Sequence, residues 1–287
     1  MSYIKAESLE QALDLLKAYA PESRVIAGGT DLFLQDLPQN LIDIGSLETM
    51  KMIDEIEGQL EIGAAVTHNR AANAAPIINK ATALAEACLQ VGSPQVRNIG
   101  TLGGNVMNAA PAADAAVALV ALGAKAELID IHKNRRCLAV DQLYADYNCT
   151  AVDCSTELVL KFFIDLCKEG EGSAFVRLAA RKALALPMAS AAARIKVEDG
   201  MISDICLVAA PIKPAPTRLF KTEKYLLGKP AVEATWQEAE KMAAQEAEVR
   251  GSLLRCSADY RKHLVGVLTG RALRTAYRRV LDGKDGW

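Results

Sequence analysis

The sequence predicts an α+β chain in which two small α/β units are followed by a smaller α+β domain. Three observations carry this expectation. Two glycine-rich segments, Ala27-Gly28-Gly29-Thr30-Asp31 and Thr101-Leu102-Gly103-Gly104-Asn105, each stand where an apolar run ends. Helix-spaced and strand-like apolar runs alternate around them. A polar stretch, Lys168-Glu-Gly-Glu-Gly-Ser173, then separates this part from a run of successive strands that gives way to helices. The expected division is 1–168, with subdomains at about 1–55 and 56–168, and then 172–287.

The elements follow in order. Ser8 precedes Leu9, Ala12, Leu13, Leu15 and Leu16, which predicts an N-capped amphipathic helix. Residues 24–27 form a short strand that runs into the first glycine loop. Residues 41–44 and 60–63 are further strands, and Thr67 caps a helix after them. Residues 77–88 carry apolar positions at helical spacing. Residues 91–98 read as a loop leading to the second glycine segment. Pro111 and Asp114 open an alanine-rich helix through Leu122. Residues 125–131 and 157–164 are strands. Beyond the polar boundary, 174–180, 191–197 and 202–209 predict a small antiparallel sheet, with Glu198-Asp-Gly200 as a hairpin turn. Pro211, Pro214 and Pro216 punctuate the crossing into helices over 238–249 and 258–281.

Composition narrows the function. A hydrophobic fraction of 51% is ample for a core in 287 residues, and a net charge of −2 gives no basic field for nucleic acid. The apolar stretch 109–126 is interrupted by Pro111 and Asp114 and is not a membrane span. The N-terminus has no apolar signal core, so a cytoplasmic location is expected. The seven cysteines contain no C-x-x-C pair, and their spacing suits neither zinc nor an iron–sulfur cluster. His68, His132 and His263 are scattered. With so little acid–base or redox machinery in the chain, a bound cofactor is expected to carry any chemistry.

The glycine loops suggest which cofactor. Lying about 75 residues apart, they are too distant to form one turn. Two such loops can grip one polyanion from both sides, because their backbone N–H groups form anion-binding concavities. A dinucleotide pyrophosphate fits that description. Either pair taken alone usually reads as a plain turn. Neither loop has the G-x-G-x-x-G or G-x-x-x-x-G-K-[ST] spacing, so the scaffold is not of Rossmann or P-loop type.

The segments Val25-Ile-Ala-Gly-Gly-Thr-Asp-Leu32, Val91-Gly-Ser-Pro-Gln-Val-Arg-Asn-Ile-Gly-Thr-Leu-Gly-Gly-Asn105 and Pro111-Ala-Ala-Asp114 resemble the FAD-binding (medium) subunit of the molybdenum hydroxylases. This family includes xanthine, carbon monoxide and nicotinate dehydrogenases. Ser257-Ala-Asp-Tyr-Arg261 and Arg271-Ala-Leu273 resemble its second domain, so the likeness covers essentially the whole chain. The resemblance implies a FAD-binding fold of the vanillyl-alcohol-oxidase type, with two α/β subdomains around the cofactor and a small α+β C-terminal domain. It also implies a large partner subunit holding molybdopterin and a small one holding two [2Fe–2S] clusters. Electrons would pass to FAD here and on to an external acceptor such as NAD.

The resemblance places a role on particular residues. Val25, Ile26, Ala27, Gly28, Gly29, Thr30, Asp31 and Leu32 would wrap the FAD diphosphate. Thr101, Gly104 and Asn105 would form the other side of the cradle. Asp114 would accept from an adenosine ribose hydroxyl; its plainer reading is a charge at a helix N-terminus. Val159 would pack near the flavin or serve simply as a core valine. Arg177 would steady a flavin or phosphate oxygen, with Arg181 and Lys182 as alternatives. Val91 stands where some relatives place an aromatic ring against adenine, and Met107 is near the expected isoalloxazine or a packing residue.

Within the resemblance, Thr30-Asp31 after the glycines, in place of the His-Ser of the carbon monoxide branch, favours a xanthine or purine dehydrogenase. A nicotinate, other heterocycle, aldehyde or carbon monoxide dehydrogenase is the alternative, as is a non-catalytic assembly subunit. A flavin enzyme acting alone would call for a covalent-flavin His or Cys motif, which His68 lacks.

Overall fold

A computed structural model describes residues 1–249, 251 and 256–283; the remainder of the expected 172–287 domain lies outside the described residues. The first sheet has three parallel strands in the order β1-β3-β2. They are β1 (Ser2–Lys5), β2 (Ser23–Ile26) and β3 (Asn40–Asp43), with α1 (Leu9–Tyr19) crossing from β1 to β2. Ser8 caps α1 by accepting from the Gln11 N–H, and Ala12, Leu13 and Leu16 bury its inner face. The β1 strand was not expected. It is short and mostly exposed, so it leaves no periodic apolar signal.

The second sheet is antiparallel and five-stranded, in the order β4-β5-β10-β6-β7. Its strands are β4 (Ile53–Ile56), β5 (Gln59–Gly63), β6 (Lys125–Asp130), β7 (Arg135–Ala139) and, after a small hairpin of β8 (Tyr144–Asp146) and β9 (Cys149–Thr150), β10 (Glu157–Asp165). Between β5 and β6 run six short helices: α2 (His68–Asn73), α3 (Ala75–Lys80), α4 (Thr82–Leu89), α5 (Pro94–Ile99), α6 (Leu102–Met107) and α7 (Asp114–Ala121).

Three expectations for this stretch are corrected, the first being that the second glycine segment, expected as a loop, forms the first turn of α6. The single helix over 77–88 is divided at Ala81, whose φ of −143° and ψ of 46° are not helical. The reason is tertiary: the Ala83 N–H at the start of α4 is taken by Ser173 Oγ at 3.2 Å, from a strand of the next domain. The loop expected over 91–98 contains α5, capped by Ser93 and begun by Pro94 at its first turn. Both are ordinary helix-start residues, so this element was readable.

The C-terminal domain is a four-stranded antiparallel sheet of β11 (Glu171–Leu178), β12 (Ala189–Glu198), β13 (Met201–Ala210) and β14 (Thr217–Arg218), followed by α8 (Phe220–Leu226), α9 (Glu233–Glu246) and α10 (Ala258–Asp282). The hairpin turn lies where expected: Asp199 and Gly200 both have positive φ, at 50° and 76°. The sheet is buried on both faces. Ala191, Ala193, Ile195, Ile205, Leu207 and Ala209 pack with the helices of this domain, while Ala192, Cys206, Val208 and Ala210 pack into the core of the first part. Alternate residues of a strand point to opposite faces. That two-sided burial explains why 189–193 of β12 and 205–210 of β13 are small or apolar without polar alternation, while Arg194, Lys196 and Glu198 alternate towards the open end of β12.

Candidate functional site

The chain reversal after β2 and the turn before α6 come together at the junction of the two sheets. A Cβ added at Gly28 would lie 2.2 Å from the Ile99 carbonyl oxygen and 2.9 Å from Gly100 Cα. Gly28 is therefore the point where the first loop touches the segment leading into the second. Gly29 has φ +66°, a left-handed conformation that glycine adopts at no steric cost. The second loop is held by pairing of Thr67 with Thr101 and by the His68 N–H, which donates to the Gly100 carbonyl at 3.0 Å.

Between the loops and β10 lies a cleft of about 960 Å³, open to solvent. Residues 25–32 all line it, as do Thr101, Gly104, Asn105 and Val159. Val91 and Met107 are also on its wall. Val159 is buried at the point where the β10–β6 register shifts. The second glycine pair divides its work. Gly103 packs, since a Cβ there would meet Ala64 at 2.8 Å, whereas Gly104 is exposed and meets only Thr101 Oγ1 at 3.0 Å. The Gly104 N–H is already used, donating to Thr101 Oγ1 at 3.1 Å as the cap of α6.

Asp114 and Arg177 are placed elsewhere. They do not line the cleft but pair with each other, both almost fully buried, where α7 meets β11. Arg177 also donates to the Ala185 carbonyl at 3.2 Å. Burial pushes the Asp114 carboxyl up to about 7, against the pull of the Arg177 guanidinium. Arg181 donates to the Ala183 and Leu184 carbonyls within its own loop.

The cleft also contains residues that the sequence reading did not single out. Arg24 Nη1 donates to Gln35 Oε1 at 3.3 Å, Gln35 Nε2 to Asn108 Oδ1 at 2.7 Å, and Asn108 Nδ2 to Asp31 Oδ2 at 3.4 Å. This chain of bonds engages the exposed Asp31 carboxylate from the α6 side. Cys154 lines the cleft too, and burial raises its thiol against the partial opposition of Arg24, so it stays protonated. His68, weighed in the sequence only as a covalent-flavin candidate, is also among the lining residues, with 2% of its surface exposed.

The free polar groups suit a dinucleotide. Among the described residues, the backbone N–H groups of 27–31 make no hydrogen bond within the protein. Asn105 Oδ1 and His68 Nδ1 are buried without a partner. A run of unpaired donors at a glycine turn is a concavity for an acceptor-only anion such as a diphosphate. A buried amide oxygen calls for a donor, which a ligand hydroxyl supplies. FAD offers both kinds of group, so the residues present fit it.

Comparison with known proteins points the same way. Residues 1–165 match the family described as the FAD binding domain in molybdopterin dehydrogenase, and residues 174–276 match the CO dehydrogenase flavoprotein C-terminal domain. The chain is 29% identical to the xanthine dehydrogenase FAD-binding subunit of Escherichia coli O157:H7, covering 96% of this chain and 95% of that one. It is 30% identical to the nicotinate dehydrogenase FAD-subunit of Eubacterium barkeri, over 82% of each chain. Among solved structures, it superposes on a chain of the carbon monoxide dehydrogenase from Hydrogenophaga pseudoflava with a TM-score of 0.91, at 26% identity, covering 97% of this chain and 98% of that chain.

Proposed function

This chain belongs to the FAD-binding subunit family of the molybdenum hydroxylases, and we propose that it is the electron-exit subunit of a cytoplasmic xanthine or purine dehydrogenase. Its partners in this reading are a large subunit with molybdopterin and a small subunit with [2Fe–2S] clusters, and electrons leave FAD for an external acceptor such as NAD. The observation that carries the reading is the cleft between the two glycine loops with its run of unpaired N–H groups at 27–31.

FAD, when bound, exchanges electrons singly or in pairs and so joins one-electron clusters to a two-electron acceptor. The chain's own residues bind and orient it. Residues 27–31 present donors to the diphosphate, and the Thr30 hydroxyl adds another. Thr101 fixes the second loop by capping α6, leaving Gly104 open to the cleft. Val159 and Met107 supply apolar walls. Asp114 is assigned to a ribose hydroxyl and Arg177 to a flavin or phosphate oxygen; for those roles their mutual ion pair must open, a rearrangement at the domain junction. The cofactor part is taken as 1–168 and the C-terminal domain as 172–287. The Thr30-Asp31 pair and the near full-length likeness to a xanthine dehydrogenase subunit support the purine assignment.

The test is purification of the native complex, followed by an absorbance spectrum, mass spectrometry of its chains and a substrate screen. FAD at one per copy, iron–sulfur absorbance, two partner chains, and xanthine-dependent reduction of NAD are expected. Turnover of nicotinate or another substrate in place of purines would overturn the purine assignment and leave the subunit role intact. A chain without flavin that takes none up on incubation would overturn the whole reading.

A further inference from the structure

We propose that Arg24 holds and tunes the flavin ring, donating hydrogen bonds from its guanidinium to the acceptor edge of the isoalloxazine. The proposal rests on the cleft being the FAD site and adds a side chain from outside the glycine loops. Arg24 stands on β2 and is the only lysine or arginine among the residues lining the cleft. The other ionisable groups on that wall leave it free. Both oxygens of Glu157 are taken by Arg136, at 2.9 and 2.6 Å. Asp31 is engaged by Asn108. His68 is neutral at physiological pH, because burial, helped by the Arg97 charge, lowers it to about 4. Among the described residues Arg24 forms no ion pair. Its guanidinium touches the Cys154 thiol and makes one long hydrogen bond, 3.3 Å from Nη1 to Gln35 Oε1. A guanidinium carries several further donors, so most of its capacity is open to a ligand.

Its position along the cleft selects the ring over the diphosphate. The unpaired N–H groups at 27–31 mark the diphosphate. Arg24 precedes them on β2 by roughly 10 Å of extended strand. Its neighbours are Cys154 and, through Gln35, the Asn108 beside Met107. Leu158 and Val159 continue the same wall. One head of a dinucleotide therefore meets both apolar side chains and a cation. A flavin suits that pairing, since it has a broad apolar body and one edge of carbonyl and nitrogen acceptors. Reduction adds negative charge to that edge, so a cation beside it favours the reduced form. The opposite end, at Val91 and Val96, has no such group: Arg97 is off the wall there and gives Nη1 to the Val91 carbonyl at 3.0 Å. The plainer role for Arg24 is to tie Gln35 to β2. A neutral donor would do that equally well, and a half-buried charge without a counter-charge is costly to keep.

The test compares the full FAD-loaded chain with Arg24→Gln and Arg24→Lys. The flavin reduction potential is read by spectral titration against reference dyes. Riboflavin and ADP affinities of the flavin-free proteins are measured by fluorescence and calorimetry. Arg24→Gln should favour the reduced flavin about tenfold less, which lowers a two-electron potential by about 30 mV. It should weaken riboflavin binding by about threefold to tenfold, the range for one hydrogen bond, and leave ADP binding within about twofold. Arg24→Lys keeps the charge and should restore most of the potential.

An unchanged potential in Arg24→Gln would overturn the proposal. So would a loss of ADP affinity as large as that of riboflavin, which would put the guanidinium at the diphosphate or the adenosine. Both outcomes leave the FAD site standing. Should Arg24→Gln fail to fold or to hold FAD, guanidinium ¹⁵N spectra of the unsubstituted chain decide: riboflavin should shift the Arg24 resonance and ADP should not, and any other pattern overturns the role. An unsubstituted chain that binds no FAD would remove the site and this inference together.

Discussion

Gly28 and His68 show how single residues set the site. The backbone approach at Gly28 leaves no room for a methyl group, because the obstructing atoms at Ile99 and Gly100 are themselves backbone. Gly28→Ala should therefore destabilise the fold by about 3 kcal/mol or more, at the upper end for overpacking, and should separate the loops. Urea denaturation and FAD uptake measure the two effects. His68 gives a pH signature of opposite origin. Its folded-state value of about 4 lies below the ordinary 6.5, so between these pH values the unfolded chain holds a proton that the folded chain lacks. Stability is then complete above pH 6.5 and falls as the pH drops towards 4, by about 3 kcal/mol in total. Melting curves across this range should show the slope, and His68→Leu should lack that part of it. Gly28, Gly29 and Thr30 stood out in the sequence because a second glycine pair follows at 103–104; one pair after a strand is usually only a turn. His68 was visible only as an isolated histidine after a cap, since nothing in the sequence tells that Thr67 pairs with Thr101.

The elements around the cleft are short and depend on their caps. Helix α6 has six residues and two glycines, so it owes its start to Thr101, whose hydroxyl accepts from the Gly104 N–H. Thr101→Ala should cost about 1 kcal/mol of stability, and Thr101→Ser should restore most of it. Chemical denaturation of the three proteins checks this. Helix α5 carries the same logic in Ser93 and Pro94 and was nevertheless expected as a loop, because six residues give too little periodicity to outweigh two glycines nearby. The division of 77–88 into α3 and α4 was not legible. It depends on Ser173, ninety positions away, taking the Ala83 N–H. The longer elements, α1, α10, β12 and β13, lie close to where their patterns put them, because each has enough turns or alternate positions to carry a signal.

At the scale of the whole molecule, the C-terminal sheet serves two cores, and charged pairs fasten it to the first part. Glu86 of α4 receives the Arg279 Nη2 of α10 at 2.6 Å and the Phe175 N–H of β11 at 2.8 Å, joining three elements across the junction. Both side chains are mostly buried, so removal of one partner leaves the other charge without compensation. Glu86→Ala should destabilise the protein by about 3 kcal/mol, and Glu86→Gln by less, as read from denaturation midpoints. Asp114 and Arg177 form a second fastening nearby. The sequence alone determined the α+β class, the glycine loops, the caps and the hairpin at Asp199-Gly200, because each depends on local backbone preference or on the period of apolar residues. Only the tertiary structure decided that the loops meet at Gly28 and Ile99, that His68 faces their junction, and that Asp114 turns to Arg177. Those outcomes depend on contacts between residues far apart in the chain, and side-chain identity at one position does not encode its partner at another.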